Sequence, residues 1–148
     1  IVHLRMNDTK PVEAGHEDFF LNTGSPHVIR FVNNIQAYPV FEEGKKVRYS
    51  NAYKPGGTNV NFVELQANNT LFVRTYERGV ENETLSCGTG VTAAALAAST
   101  QGYTSPVKIK TLGGELSVAF KKGVNGDFTD IYLIGPAQRV FEGEIVLP

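Results

Sequence analysis

Cys87 is the single cysteine of this 148-residue chain, and its surroundings suit acid–base chemistry. It follows a charged loop, Glu77 to Ser86, and precedes a run of small residues that predicts a helix. A thiol at a helix N-terminus lies at the positive end of the peptide dipoles, which favours the thiolate. The glycines of Gly88-Thr89-Gly90 would let a ligand approach closely, and the three N–H groups could bind a carboxylate or phosphate. The segment therefore offers a base beside an anion site.

Each of these features also has a simpler structural interpretation. A lone cysteine before an alanine-rich helix is more often a small buried hydrophobe. Gly88-Thr89-Gly90 alone indicates a tight turn with Thr89 as helix N-cap, and without a following Lys it supports nucleotide binding only weakly. The adjacent Gly88 and Gly90, with charged residues in the preceding loop, favour the reactive interpretation of Cys87.

Other polar residues are ambiguous in isolation. His27 opens a predicted strand after a turn, where a histidine is more often a surface or capping residue. Asn59 and Asn61 point to the same side of a predicted strand, so they could hold a polar ligand, although solvated strand asparagines fit equally well. The pair Glu77-Arg78 by itself indicates a surface ion pair.

Two classes of site find little support. His3 and His16 are interpreted as structural, and no Cys/His cluster has the spacing of metal ligands, so no metal is expected. Fourteen basic and fifteen acidic residues are spread without long runs, which favours a small-molecule partner over nucleic acid or membrane.

The length and composition predict one globular domain. No apolar run approaches the roughly 18 residues of a membrane span, and the first residues lack the form of a signal peptide. A single cysteine with no internal disulfide is typical of a reducing compartment, so a cytoplasmic location is expected.

Turn residues recur every ten to fifteen positions and separate short runs rich in β-branched and aromatic residues. A helix from Val91 to Ser99 is apolar on every side, which predicts that it is packed all round. A weaker helical pattern covers Tyr38 to Tyr49. The prediction is an α+β fold with strands wrapped around a central helix. The predicted strands are Val2 to Met6, Asp18 to Asn22, Val28 to Val32, Asn59 to Gln66, Thr70 to Tyr76, Val107 to Thr111, Glu115 to Lys121 and Asp130 to Ile134.

Several motifs, in order and spacing, resemble the second half of the diaminopimelate epimerase family. They are Ser25-Pro26-His27, Asn59-Val60-Asn61-Phe62, Glu77-Arg78-Gly79, Glu83-Thr84, Cys87-Gly88-Thr89-Gly90, Gly135-Pro136-Ala137 and Val140-Phe141-Glu142-Gly143-Glu144. The resemblance implies one of two similar α+β domains in an enzyme of lysine and peptidoglycan precursor synthesis. Residues 1–148 would then be the second domain, with the first domain absent.

The family resemblance also implies the chemistry. Members invert an amino-acid α-carbon without a cofactor: one cysteine removes the α-proton and a second, from the other domain, delivers one on the opposite face. Cys87 would be one of the pair. Glu77 and His27 would help to set the protonation of the thiols. Gly88 and Thr89 would bind the α-carboxylate, while Asn59 and Arg78 would hold the distal amino-acid end. Ser25 would also contact the substrate.

Two positions depart from the family pattern. Ser25 stands where the family usually has Asn, and the turn after Glu77-Arg78-Gly79 is one residue longer and lacks a second glycine. With one thiol present, the chain alone is expected not to epimerise. A proline-racemase-like or phenazine-pathway-isomerase-like enzyme stays open, although Asn59 with Arg78 argues against it. A binding or assembly module and a homodimer also stay open.

Overall fold

Ten strands and two α-helices make up the computed structural model, which describes residues 1–148. The strands are β1 Val2–Arg5, β2 Glu13–Ala14, β3 Phe19–Asn22, β4 Pro26–Phe31, β5 Asn59–Gln66, β6 Thr70–Glu77, β7 Asn82–Thr84, β8 Val107–Thr111, β9 Gly114–Lys122 and β10 Phe128–Gly135. The helices are α1 Val40–Arg48 and α2 Gly88–Ala98. Neither is both long and apolar enough to cross a membrane.

All ten strands belong to one sheet, in the order β1-β10-β9-β8-β6-β5-β4-β3-β2, with β7 paired to β6 off this path. Neighbours are antiparallel except for β4 with β5 and β6 with β8. Parallel neighbours need a crossover connection. Here α1 lies between β4 and β5 in the chain, and α2 lies between β6 and β8. The two helices therefore occur where the sheet topology requires them.

Helix α2 is enclosed by the sheet and forms the centre of the main core. It contacts β3, β4, β5, β6, β8, β9 and β10, and every residue from Gly90 to Ala98 is buried. Four of the five residues from Ala93 to Ala97 are alanine, whose small side chains allow strands to approach from several directions. The predicted fold class, strands wrapped around a hydrophobic helix, is confirmed.

Helix α1 packs on the opposite face of β5 and β6. Successive strand residues alternate between faces, so Val60 and Phe62 join the α1 cluster while Val63 joins the α2 core. Gly44 makes the helix contact tight, because a Cβ there would overlap the Tyr76 side chain. Strands β5 and β6 are thus fixed from both sides, which leaves their polar ends rigidly placed.

The predicted strands are confirmed within a few residues at each end, and two agree to the residue. The weaker helix is α1, and α2 begins at Gly88, three residues before the predicted Val91. The predicted loop from Glu77 to Ser86 is wrong: β6 continues to Glu77, and the short β7 folds back on it. The connecting turn is closed by a hydrogen bond from Glu81 N–H to the Glu77 carbonyl at 2.8 Å. Strand β2 was also not predicted.

Candidate active site

Cys87 is the N-cap residue of α2. Its backbone is extended (φ −123°, ψ 112°), and the first intrahelical hydrogen bond runs from Val91 N–H to its carbonyl at 2.9 Å. The N–H groups of Gly88, Thr89 and Gly90 come before Val91 in the chain and so have no intrahelical partner. No side chain caps them. The half-buried thiol lies 3.6 Å from Thr89 Oγ1. The interpretation of Thr89 as N-cap is therefore wrong, and the thiol itself stands at the positive end of the helix.

His27 lies at the start of β4 and is completely buried. Its Nδ1 is 3.0 Å from Asn61 Nδ2, and its Nε2 is 2.9 Å from Thr89 Oγ1 and 3.1 Å from Ser25 Oγ. Burial, together with the smaller effect of the nearby positive charge of Arg78, lowers the pKa of His27 to about 4. The ring is neutral at pH 7. The interpretation of His27 as a surface or capping residue is wrong.

Asn59 connects several predicted site residues. Its Nδ2 donates to the Pro26 carbonyl at 2.9 Å and to Ser25 Oγ at 3.3 Å. Its Oδ1 accepts a hydrogen bond from Arg78 N–H at 2.8 Å. Asn59 is 4% exposed and Asn61 is fully buried, so the interpretation as solvated asparagines is wrong. The Asn59 amide holds the start of β4 against the end of β6.

Glu77 is the last residue of β6 and Arg78 follows it, and the two side chains do not pair with each other. Glu77 Oε2 accepts a hydrogen bond from Thr84 Oγ1 at 2.9 Å. Arg78 Nη1 donates to the Gly56 carbonyl at 3.1 Å, and its other guanidinium N–H groups make no hydrogen bond within the chain. The interpretation of this dipeptide as a surface ion pair is therefore wrong. Most of the Arg78 guanidinium is free to bind a ligand.

Glu83 belongs to the scaffold of the site. It forms a two-pronged ion pair with Arg74, at 2.6 Å to Nε and 2.7 Å to Nη2, with both side chains mostly buried. Arg74 also donates to the carbonyls of Ile35 and Tyr38. These bonds hold β7, the strand that leads into Cys87. Such a role could not be deduced from the sequence, because Arg74 gives no local signal of its partner.

Gly90 is required by packing within the protein. A Cβ at this position would overlap Asn61 Oδ1 and lie 3.2 Å from His27 Cε1 and 3.3 Å from the Cβ of Cys87. The sequence predicts that this glycine lets a ligand approach closely. Within the chain, the atom that comes close to it is Oδ1 of the buried Asn61 side chain.

Two threonines of the site were missed by sequence reasoning. Thr23 Oγ1 donates to the Thr89 carbonyl at 2.8 Å, which ties the turn before β4 to the start of α2. Thr75 Oγ1 donates to Asn61 Oδ1 at 2.8 Å. The position of Thr75 could have been predicted from the sequence. It lies on the same face of its strand as Leu71 and Val73, which pack in the α2 core, so a polar side chain there must also face α2.

Cys87 lines none of the five cavities of about 180 to 400 Å³ along the chain. Its neighbour Ser86 lines a cavity of about 180 Å³ together with Gly113 and Pro136 among others. No group of three or more His, Cys, Asp or Glu side chains could hold a metal ion.

Strands wrapped around a buried helix also occur in solved structures of other proteins. A Bacillus anthracis phenazine biosynthesis protein of the PhzF family matches with a TM-score of 0.50 and 18% identity, over 86% of this chain and 39% of that chain. An Enterococcus faecalis protein of the same family matches with a TM-score of 0.50 and 12% identity, over 81% and 41%. These matches show the fold alone.

Residues 19–140 match the diaminopimelate epimerase family model, so this chain belongs to that family. It is 46% identical to the diaminopimelate epimerase of Flavobacterium psychrophilum over 147 residues, 98% of this chain and 57% of the relative. It is 46% identical to that of Chlorobaculum tepidum over 130 residues, 86% and 49%. The chain thus spans about half the length of these relatives. The family resemblance inferred from the motifs is confirmed.

Proposed function

We propose that this chain supplies one of two acid–base thiols of a cofactor-independent epimerase that interconverts LL- and meso-diaminopimelate. The observation that carries the proposal is the position of Cys87, whose thiol lies at the N-terminus of a buried helix beside N–H groups that no side chain caps. Membership of the diaminopimelate epimerase family supports it. The reaction belongs to lysine and peptidoglycan precursor synthesis.

The reacting end of the substrate binds at the start of α2. The N–H groups of Gly88 and Thr89 receive the α-carboxylate, and they stabilise the negative charge that spreads into it as the α-proton leaves. Cys87 exchanges that proton on one face of the α-carbon. The reaction also requires a second thiol on the opposite face, which a further domain supplies.

The distal amino-acid end binds at the end of β6. Arg78 keeps most of its guanidinium donors free, and two parallel N–H groups suit a carboxylate. Asn59 uses both amide hydrogens and one lone pair within the chain, so its remaining Oδ1 lone pair accepts from the distal ammonium. Ser25 stands where the family usually has Asn, so the contact that the Asn amide would make with the substrate is shortened or moved.

Glu77 and His27 act beside the thiols. Glu77 is held by Thr84 at the end of β6, and His27 is buried and neutral behind Thr89. In this proposal both groups set the protonation of the thiols that flank the substrate. The complete enzyme combines this chain with a first domain, acts in the cytoplasm, and forms a homodimer. The chain alone does not epimerise, because one thiol exchanges a proton on one face only.

The test is deuterium incorporation at the α-carbon of diaminopimelate in heavy water. A chimera carries this chain in place of the matching residues of the F. psychrophilum relative, so that the relative provides the rest of the enzyme. We expect exchange with inversion in the chimera. With Cys87→Ala we expect no inversion, because the remaining thiol exchanges a proton on one face at most. Val124→Ala, at a fully exposed loop position, is the matched control and keeps full activity. A folded chimera that exchanges no α-proton contradicts the proposal.

Alkylation of Cys87 separates the enzyme from a binding or assembly module. The proposal expects a thiol that reacts with iodoacetamide faster than an exposed free cysteine at pH 7, because the helix N-terminus favours the thiolate. A rate equal to that of free cysteine favours the module. Exchange of other amino acids, with diaminopimelate inert, would instead indicate a related isomerase.

A further inference from the structure

His27 and Cys87 do not touch each other, but one side chain lies between them. Thr89 Oγ1 is 2.9 Å from His27 Nε2 and 3.6 Å from Cys87 Sγ. A hydroxyl can donate one hydrogen bond while accepting others. The direction of hydrogen bonding through Thr89 therefore depends on which nitrogen of His27 carries the proton.

Asn61 settles that question through its own contacts. Its Nδ2 lies 3.0 Å from the Val28 carbonyl oxygen, which can only accept, so this atom is the amide nitrogen. Its Oδ1 accepts from Thr75 Oγ1 at 2.8 Å. The second Nδ2 hydrogen points to His27 Nδ1 at 3.0 Å. Because Nδ1 accepts this bond in the neutral ring, the proton of His27 is on Nε2.

The protonated Nε2 then donates towards Thr89 Oγ1, with Ser25 Oγ at 3.1 Å as a second acceptor. Ser25 Oγ also accepts from Asn59 Nδ2. Having accepted from His27, the Thr89 hydroxyl has two acceptors within reach of its own hydrogen, Ser25 Oγ at 3.4 Å and Cys87 Sγ at 3.6 Å. A thiolate is the stronger acceptor because it carries a negative charge, so the hydrogen points to Cys87. The bonds run in one direction, from the buried strands to the thiol.

We propose that Asn61 is a positioning residue that holds His27 as the Nε2–H tautomer, so that Thr89 donates a hydrogen bond to the Cys87 thiolate. The inference rests on the proposed function in taking the thiolate as the working base. Asn61 is fully buried, and its amide is occupied by Val28, Thr75 and His27, so it acts through His27 and does not touch the substrate.

The first test reads the tautomer in the unaltered chain. Two-dimensional ¹⁵N–¹H correlation of the histidine rings at pH 7 is expected to show His27 protonated on Nε2 alone. A scalar coupling between Asn61 Nδ2 and His27 Nδ1 through the hydrogen bond is also expected. A proton on Nδ1, or no coupling in a resolved spectrum, overturns the proposal. Neither readout depends on any enzymatic activity.

The second test reads the thiolate. Thr89→Val removes the bridging hydroxyl and keeps the side-chain shape, whereas Thr89→Ser keeps the hydroxyl. We expect Thr89→Val to lower the rate of Cys87 alkylation at pH 7 by about three- to tenfold and to move its pH midpoint upward. Thr89→Ser should stay within about twofold of the parent, given the same hydroxyl contact.

Two comparisons keep these readouts specific. The charged residues assigned to the site, Glu77 at the end of β6 and Arg78 directly after it, are identical in both variants, so a difference reports the hydroxyl. The His27 ring spectrum checks that each variant keeps the native site. Equal alkylation rates and pH midpoints in the parent and a folded Thr89→Val overturn the bridge. If the His27 tautomer and the Cys87 alkylation rates are as expected but the chimera is inactive on diaminopimelate, the substrate assignment is refuted and the hydrogen-bond proposal stands.

Discussion

Replacing Gly90 with alanine measures how closely α2 packs against the His27 site. In an open helix interior this change is stabilising by about 1 kcal/mol, because alanine loses less backbone entropy. Here the new Cβ overlaps Asn61 Oδ1 and lies 3.2 Å from His27 Cε1. The structure therefore predicts the opposite sign from helix propensity.

The magnitude follows from what must move. Asn61 is held at 2.8 Å by Thr75 and at 3.0 Å by both Val28 and His27, so displacing it breaks hydrogen bonds in a fully buried site. Each buried polar group left unpaired costs about 1–3 kcal/mol, and overpacking costs a similar amount. After the helix-propensity gain, we expect Gly90→Ala to lower the free energy of unfolding by about 1–5 kcal/mol. For a domain of this size that lowers Tm by about 3–15 °C.

Urea unfolding of the 148-residue chain provides the assay, with two comparisons. Gly143→Ala is the matched control, since nothing lies within 4 Å of a Cβ there, and it should change stability by less than about 0.5 kcal/mol. In an Asn61→Ala background the Oδ1 atom is gone, so adding Gly90→Ala should cost little. The double-mutant cycle should thus show a coupling of about 2 kcal/mol or more.

The reasoning is refuted if Gly90→Ala unfolds at the same urea concentration as the parent, or at a higher one. It is also refuted if Gly90→Ala costs the same with and without Asn61, because the loss would then have another origin. If Gly90→Ala does not fold, the double mutant Asn61→Ala/Gly90→Ala still tests the reasoning. We expect the double mutant to be nearly as stable as Asn61→Ala alone.

Three further predictions concern the groups around the site. The pKa of His27 is about 4 in the folded chain and about 6.5 in the unfolded chain, so the unfolded state binds the proton first as pH falls. The free energy of unfolding should therefore decrease between about pH 6.5 and pH 4, by about 3 kcal/mol in total. Urea midpoints between pH 7 and 4.5 should show this, and His27→Gln should lack that part of the slope; equal slopes contradict it. Glu83→Gln leaves Arg74 without its carboxylate, and with both side chains under one-fifth exposed we expect a loss of about 1–3 kcal/mol, against almost none for Glu43→Gln at an exposed pair. Equal losses in these two variants would show that the Glu83 pair is no more important than a surface pair. Glu81→Ala removes the ion pair with Arg48 that anchors the turn after β6, so thermal unfolding should occur several degrees lower, and an unchanged Tm would show that the turn is held by its backbone alone.

Much of the fold could be predicted because its main elements carry strong local patterns. β5 and β8 agree to the residue, since runs of β-branched and aromatic side chains end at turn residues. Helix α2 is apolar on every side and is buried on every side. Strand β7 was missed because it has only three residues, all polar, and depends on pairing with β6. The turn before it depends on Glu81 adopting a positive φ of 59°, a conformation that its residue type does not indicate.

The chemical type of the site can be recognised from local sequence: one thiol before a helix of small residues, within motifs of the diaminopimelate epimerase family. The neutral state of His27 depends on the tertiary structure, because its burial and its partners come from distant segments. Asn61 is 34 residues away and Thr89 is 62 residues away. They meet His27 because β4 pairs in parallel with β5 while α2 lies across both strands. That parallel register depends on the crossover through α1 and on the shared core, which no local sequence pattern encodes.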